Sequence, residues 1–276
     1  MPDYELDVAT ALERTAPGSY SGQLTSRWDV GGGMNGGYLA AFCLRGVLAE
    51  SALPDPISMT LHYLSRPEPG PAHLRVEAMR IGRGHASFRF DLLQLVGDRA
   101  EQSRVGGVVL TGRLRESGLL DFAPPPPAVP GPDASHRVDP SSGAARAARL
   151  WQRLDLRVAS AGDVYFHRDE PGEPRGGGWT RLADGRPPDA LCVPLYLDCW
   201  PPAVFARTMR PQLVGAPTLE LTVHWRNRVR TDWHYAAFET RMLAGGYVDE
   251  EGELWSSDGT LIAASRQLAR YSGETA

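Results

Sequence analysis

Cysteine is scarce in this sequence: it supplies three of 276 residues, and no two of them have CxxC spacing. An odd number without that spacing argues against a disulfide framework and against a zinc site built from thiolates. Cys43, Cys192 and Cys199 each lie in an apolar segment, which is typical of small core side chains. Such thiols fit a reducing compartment, so we predict a cytoplasmic protein.

Long apolar runs and an excess of positive charge are missing as well. No stretch of about 20 apolar residues occurs, so we predict no membrane-spanning helix and no membrane partner. The first residues, Met1 to Glu5, are acidic and lack the basic-then-apolar pattern of a signal peptide. The formal net charge of −4 offers no attraction to nucleic acid. With 42% hydrophobic residues, the composition is typical of a globular protein with a buried core.

Several catalytic signatures are also absent. The seven histidines show neither HxxxH nor HxxH spacing, so we predict no metal site. No G-x-S-x-G elbow occurs, which leaves an α/β-hydrolase serine without support. Gly31, Gly33 and Gly36 satisfy G-x-G-x-x-G, but no buried strand precedes them and no βαβ alternation follows. We interpret them as glycines that allow close approach at a helix N-terminus, the alternative being a flexible loop without a ligand.

An internal repeat organises the chain. Residues 58–64 resemble residues 219–225, and a constant shift of 162 residues places Thr60 on Thr222. Without a gap, the same shift pairs further residues of equal type: Arg66 with Arg228, Glu77 with Glu239, Gly84 with Gly246, Leu92 with Leu254, and Gly97 with Gly259. One constant shift that keeps turn glycines in step indicates a duplicated unit.

Each copy shows the pattern of antiparallel β-structure. Residues 60–63, 74–78 and 87–92 alternate apolar and polar side chains, which is the period of a half-buried strand. Turn pairs such as Asp258-Gly259 separate neighbouring strands. We therefore predict a meander of four strands in each copy, without crossover helices.

A helix candidate precedes each set of strands. Residues 36–48 carry one charge in thirteen, so this helix must be buried, and Asn35 is a suitable N-cap. The second candidate covers residues 189–200, where Pro194 and the following Pro201 indicate a kink or an early end. A buried helix wrapped by an antiparallel sheet, present twice, is the α+β plan of a double hotdog.

The boundaries follow from composition. The proline-rich residues 123–132 favour extended polyproline structure and separate the two copies. We predict an N-terminal hotdog domain over residues 1–115, a linker over 116–145, and a C-terminal hotdog domain over 146–276.

Three polar residues distinguish the second copy from the first. Asp198 lies in an apolar segment, where a carboxyl group is costly unless it is hydrogen-bonded or functional. It could also be a structural acid that caps a backbone group. The shift of 162 places three polar residues of the second copy on residues of the first that lack a polar side chain: Asp198 on Gly36, Thr218 on Pro56, and Gln267 on Val105. The asymmetry indicates one set of polar groups in the second half.

Several short sequence motifs carry a family resemblance. These are Asn35-Gly36-Gly37-Tyr38, Gly82-Arg83-Gly84 and residues 254–261, within the longer segments 28–38, 56–84 and 192–267. In them the chain resembles the thioesterase-like family of double hotdog proteins, related to bacterial acyl-CoA thioesterase II. It departs from the family after Asp198, where two prolines follow within four residues.

The resemblance implies a reaction and its residues. In thioesterase II relatives an Asp on the second helix, a hydroxyl at the start of the next strand and a Gln on the last strand hold the hydrolytic water. Asp198, Thr218 and Gln267 occupy these places. The implied activity is hydrolysis of an acyl-CoA thioester to free acid and CoA, without a covalent intermediate. The alternatives are a non-catalytic acyl-CoA or acyl-lipid binder, and a hydratase, which needs an Asp–His pair that is absent before the helix.

The chemistry of thioester hydrolysis also suggests how substrate is bound, the alternative for the arginines being that they are merely solvated. We assign substrate binding to the helix start, where backbone N–H groups could stabilise an oxyanion, and to two arginines that could meet CoA phosphates. These residues are Asn35, Gly36, Gly37, Tyr38, Arg66 and Arg83. We expect acyl-CoA as the partner, no cofactor, a role in lipid metabolism, and a monomer or homodimer of the fused chain.

Overall fold

The structure is a computed structural model, and it describes residues 3–96, 100–115, 122–141, 148–159, 171–208 and 215–272. Its centre is one antiparallel sheet of 13 strands. A second, separate sheet has two strands. Among the described residues, no helix is both long enough and apolar enough to cross a bilayer.

The first half contributes two helices and eight strands. The helices are α1 (Glu5–Ala9) and α2 (Gly36–Glu50). The strands are β1 (Leu12–Ala16), β2 (Ser19–Leu24), β3 (Asp29–Val30), β4 (Gly33–Met34), β5 (Asp55–Tyr63), β6 (Gly70–Ile81), β7 (Ala86–Val96) and β8 (Ala100–Gly112).

The second half repeats this plan with shorter helices. Its strands are β9 (His136–Arg137), β10 (Leu154–Val158), β11 (Arg175–Leu182), β12 (Thr218–Trp225), β13 (His234–Ala244), β14 (Tyr247–Ser256) and β15 (Leu261–Arg270). Its helices are α3 (Cys192–Tyr196) and α4 (Phe205–Thr208).

The strand order shows the duplication directly. Across the sheet the order is β1-β2-β6-β7-β8-β5-β12-β15-β14-β13-β11-β10-β9, so the two halves mirror each other about the β5–β12 pair. In that pair Thr60 lies opposite Thr222, the residue that the repeat makes its equivalent, and their hydroxyls are 2.9 Å apart. A pseudo-twofold axis therefore passes between these two threonines. The α+β double hotdog predicted from the sequence is confirmed.

Irregularities in the strands recur with the same shift. In the first half, pairing slips between Pro56 and Ser58, between Ala78 and Arg80, and between Leu92 and Leu93. In the second half, it slips between Thr218 and Glu220, between Thr240 and Met242, and between Leu254 and Trp255. Each position differs from its counterpart by 162, so the copies share their bulges as well as their strands.

The prediction of a four-stranded meander is wrong in one respect. β6, β7 and β8 form a meander, but β5 pairs with β8 rather than with its sequence neighbour β6. Alternation of apolar residues shows which face of a strand is buried, and it does not identify the neighbouring strand. The consequence is that β5 lies at the centre of the molecule, where it meets β12.

The two helices differ as the prolines predict. α2 is 15 residues long and most of it is buried, with Asn35 as the N-cap. α3 has only five residues and contains Pro194, and the chain then turns through residues 197–200 before Pro201. The early end of the second helix is therefore confirmed, and it leaves Asp198 in a turn rather than inside a helix.

The proline-rich segment lies against the second half. The indole of Trp179 donates a hydrogen bond to the Pro130 carbonyl at 2.8 Å, and Arg157 donates to the Pro132 carbonyl at 2.8 Å. His136–Arg137, within the predicted linker, form the edge strand β9 beside β10. Residues 116–121 and 142–147 of that linker lie outside the described residues.

Candidate active site

Asp198 bridges the two copies of the repeat. Its Oδ2 accepts hydrogen bonds from the Gly37 amide at 2.8 Å and from Asn35 Nδ2 at 2.8 Å. Asn35 Nδ2 also donates to the Asp198 carbonyl at 2.6 Å. The other carboxyl oxygen, Oδ1, has no side-chain partner among the residues that the structure describes. One oxygen is thus fixed, and the other remains available to a ligand or water.

Two glycines make this approach possible. A Cβ on Gly37 would lie 2.3 Å from the Pro194 carbonyl oxygen, so a larger residue would push α2 away from α3. A Cβ on Gly36 would lie 2.5 Å from the Tyr63 hydroxyl and 3.0 Å from Asp198 Oδ2. The glycine pair at the start of α2 therefore lets the acid of the second copy reach the helix of the first.

The environment raises the pKa of Asp198 to about 7. The largest cause is desolvation, which disfavours the charged carboxylate, and the nearby Glu250 carboxyl acts in the same direction. Hydrogen bonds from Gly37, Gly36 and Asn35 favour the carboxylate and partly offset this rise. A carboxyl group with a pKa near neutrality is suited to general base catalysis.

Thr218 and Gln267 are brought together by the β12–β15 pair. The Thr218 hydroxyl donates to Gln267 Oε1 at 3.0 Å, and Gln267 Nε2 donates to Glu250 Oε1 at 2.8 Å. Glu250 Oε2 accepts from the Ala203 amide, which follows Asp198 by five residues. Asp198 makes no direct hydrogen bond to Thr218 or Gln267 within the described part of the chain.

Glu250 joins these groups and was not predicted from the sequence. Its side chain is 4% exposed, and burial raises the pKa of this carboxyl group. The hydrogen bonds that it accepts from Ala203, Gln267 and Thr240 act against that rise. The site therefore contains two carboxyl groups, Asp198 and Glu250, close enough to influence each other electrostatically.

Tyr63 is a second residue that the predictions missed. Its hydroxyl is buried and has no hydrogen-bond partner among the described residues, and it approaches the same point beside Gly36 as Asp198 Oδ2 does. Burial, followed by the charge of Asp198, raises the pKa of Tyr63 well above its usual value, so the hydroxyl keeps its proton. A buried Tyr hydroxyl normally has a hydrogen-bond partner. Because the Tyr63 hydroxyl has none among the described residues, it is available to donate to a ligand.

The same shift of 162 could have revealed Glu250 but not Tyr63. It places Glu250 on Phe88, so this carboxyl group is present only in the second copy, which is the asymmetry that singled out Asp198, Thr218 and Gln267. Tyr63 falls on another aromatic residue, Trp225, and shows no such contrast.

The start of α2 is built differently from the expectation. Two of its first-turn amides do not remain free for an oxyanion, because Gly37 N–H donates to Asp198 and Tyr38 N–H donates to Asn35 Oδ1. The Tyr38 side chain lies in the core, stacks on Trp28 and donates its hydroxyl proton to the Ala9 carbonyl. Asn35, Gly36 and Gly37 therefore surround Asp198, whereas the side chain of Tyr38 does not.

The two predicted arginines lie in different places. The Arg66 guanidinium approaches the turn that precedes α2, 3.6 Å from where a Cβ on Gly33 would lie. Arg83 is exposed in the β6–β7 turn. The neighbouring His85 packs near Gly112, which pairs with Asp55 at the end of β5 opposite to Tyr63. Arg66 is thus near the start of α2, and Arg83 is at the other end of the sheet.

Comparisons with known proteins agree with this architecture. A candidate thioesterase II of Thermobifida fusca YX has a TM-score of 0.86 and 27% identity, covering 99% of both chains. A hot dog fold protein of unknown function from Alicyclobacillus acidocaldarius has a TM-score of 0.85 and 22% identity, covering 98% of both. An acyl-CoA thioesterase II of Mycobacterium marinum has a TM-score of 0.70 and 18% identity, covering 98% of this chain and 99% of the other. No curated protein sequence matches the chain.

Family models cover both halves. Residues 24–113 match the N-terminal domain of acyl-CoA thioesterases, and residues 123–271 match the C-terminal domain. The second match alone spans more than half of the 276 residues. The chain therefore belongs to the acyl-CoA thioesterase family of double hotdog proteins.

Proposed function

We propose that this protein hydrolyses an acyl-CoA thioester to a free acid and CoA, by direct attack of water. The observation that carries the proposal is the carboxyl group of Asp198. Gly37 and Asn35 fix its Oδ2, and its environment raises its pKa to about 7. Its Oδ1, which accepts from no side chain of the described residues, is left for a water molecule. Family membership supports the same reaction class.

The chemistry follows from these groups. Asp198 Oδ1 takes a proton from water as the water oxygen attacks the thioester carbonyl carbon. Thr218 and Gln267 orient that water, and positioning of this kind accounts for much of the rate. As the carbon–sulfur bond breaks, the proton on Asp198 passes to the departing thiolate. The products are a carboxylic acid and the CoA thiol.

Tyr63 is our candidate for the hydrogen-bond donor to the thioester oxygen, a role that we had expected of the helix amides. Because the Gly37 and Tyr38 N–H groups at the start of α2 are already used, the thioester oxygen needs another donor as it gains negative charge. The Tyr63 hydroxyl has no partner within the described residues, stays protonated and lies beside Asp198. We assign it to this oxygen, so the first copy supplies the donor and the second supplies the base.

Arg66 is our candidate for the CoA phosphates. It is exposed beside the turn that leads into α2, where an incoming CoA could reach it. Arg66→Ala should raise the KM for acyl-CoA more than the KM for the matching acyl-pantetheine, which lacks the nucleotide phosphates. Arg83→Ala is the comparison, because Arg83 lies at the other end of the sheet. Equal effects of the two variants would remove Arg66 from this role.

A panel of acyl-CoAs of graded chain length tests the reaction itself. Purified protein is incubated with each thioester, and the free thiol is measured. Release of thiol with at least one member supports the hydrolase. The alternative is a protein that binds acyl-CoA without turnover, which calorimetry on the same panel would reveal. If no member of the panel is bound and none releases thiol, the proposal is refuted.

A further inference from the structure

We propose that Glu250 is a positioning residue that fixes the hydrogen-bond direction through Gln267 and Thr218. This inference rests on the proposed function, because it explains how these two residues face the water that Asp198 activates. At Glu250 an interior position of β14 carries a carboxyl group, where the first copy has the apolar Phe88.

Three donors surround Glu250. Its Oε1 accepts from Gln267 Nε2 at 2.8 Å. Its Oε2 accepts from the Ala203 amide at 2.5 Å and from the Thr240 hydroxyl at 3.2 Å. All three contacts are hydrogen bonds that the carboxyl oxygens accept, so in its carboxylate form Glu250 acts only as an acceptor.

An acceptor at this place determines which way the Gln267 amide points. Gln267 must turn its NH₂ group toward Glu250, which leaves its Oε1 toward Thr218. The single hydroxyl proton of Thr218 is then donated to Gln267. Thr218 can offer only lone pairs to a water molecule, so the water must donate one proton to Thr218 and the other to Asp198. Its own lone pair is thereby left for the thioester carbon.

A purely structural role accounts poorly for this carboxyl group. No cation contacts Glu250 within the described ranges, and its charge raises the pKa of Asp198, an acid of the same sign. The residues that face it from β13 and β15 are the neutral Thr240 and Gln267. An apolar side chain, as in the first copy, would avoid the cost of burying a charge.

The substitution Glu250→Gln tests the direction of the hydrogen bonds through Gln267 and Thr218, and it changes the size of the side chain very little. The substituted amide can still accept from the Ala203 N–H, but its own NH₂ group then faces Gln267, whose amide is free to turn. We expect kcat to fall about ten- to a hundredfold, with KM within about twofold and an unchanged melting temperature. Glu251→Gln is the matched control, because Glu251 is the next residue, is half-exposed and pairs with Arg241. It should keep full turnover.

A double-mutant cycle separates positioning from structure. If Glu250 acts through Gln267, the variant with both Glu250→Gln and Gln267→Ala should be no slower than Gln267→Ala alone. Effects on kcat that multiply, or full turnover in Glu250→Gln, would overturn the inference.

NMR of the side-chain amides tests whether Glu250 orients the Gln267 amide, and this measurement does not require turnover. The Gln267 NH₂ signals, identified by their loss in Gln267→Ala, should shift in Glu250→Gln and remain in place in Glu251→Gln. Unchanged signals in Glu250→Gln would refute the positioning role, whether or not acyl-CoA is hydrolysed. Absence of thiol release by the unmodified protein would instead refute the proposed function.

Discussion

Asp198 Oδ2 accepts a hydrogen bond from the Gly37 amide at 2.8 Å, although the two residues belong to different copies of the repeat. The shift of 162 makes Asp198 the counterpart of Gly36, so the acid of one copy lies at the helix start of the other. Equivalent positions meet in this way because both lie near the pseudo-twofold axis. The candidate site therefore needs both halves of the chain.

The reaction rate should increase with pH through neutrality. The base must be ionised, and the pKa of Asp198 is about 7, so below that value most molecules hold the unreactive acid. Measuring kcat/KM from about pH 5.5 to about pH 8.5 checks this, with a fall of about tenfold per pH unit on the acidic side. A rate that does not change across this range would be incompatible with Asp198 as the base.

Asn35→Ser should separate the two functions of Asn35. Serine is as good an N-cap as asparagine, so α2 should keep its stability, whereas Asn35→Ala should lose about 1 kcal/mol. Serine cannot supply the Nδ2 donor that favours the Asp198 carboxylate. We therefore expect the acidic limb of the pH–rate profile to move to higher pH in both variants. An unmoved limb in Asn35→Ser would show that the hydrogen bond does not tune Asp198.

Gly36→Ala should impair turnover without unfolding the protein. The new methyl group would lie 2.5 Å from the Tyr63 hydroxyl and 3.0 Å from Asp198 Oδ2, so at least one of them must move. A displacement of about 1 Å at a reacting group costs about a hundredfold in rate. Gly84→Ala is the control, since a Cβ there meets no atom of the described residues within 4 Å. Turnover that is equal in the two variants would contradict the placement of Tyr63 and Asp198.

Thermal stability should depend on pH in a way that identifies Asp198. Its folded pKa of about 7 lies above its ordinary value of 3.8, so the native state holds a proton that the unfolded state releases. The stability from this group is complete below about pH 3.8 and is lost as the pH increases through about 7. Asp198→Asn lacks this loss, so its melting temperature relative to the unmodified protein should increase between acidic and alkaline buffer. A constant difference would contradict the raised pKa.

The sequence predicted the architecture because the repeat could be read without a structure. The constant shift of 162 residues revealed the duplication, and the alternation of apolar and polar residues predicted which face of each strand is buried. Neither signal shows which strands are neighbours, and so the position of β5 beside β8 and β12 was missed.

The candidate site was predicted in part for the same reason. Comparing the copies singled out Asp198, Thr218 and Gln267, and the same contrast is present at Glu250, which falls on Phe88. Tyr63 falls on Trp225, another aromatic residue, so the comparison gives no signal there. What a sequence cannot supply is the distance between copies. The hydrogen bonds from Asn35 and Gly37 to Asp198 exist only because α2 and the turn after α3 meet near the axis.

Turnover of Asp198→Asn on acyl-CoA tests the central claim most directly. Asparagine keeps an oxygen that can accept from Asn35 and Gly37, so the fold should remain, but it cannot take a proton from water. The control is Asp189→Asn, which changes a carboxyl group of the same segment that pairs with Arg186 instead. We predict that kcat falls at least about a hundredfold in Asp198→Asn and is retained in Asp189→Asn, with both proteins folded. Full turnover in folded Asp198→Asn would show that Asp198 is not the base.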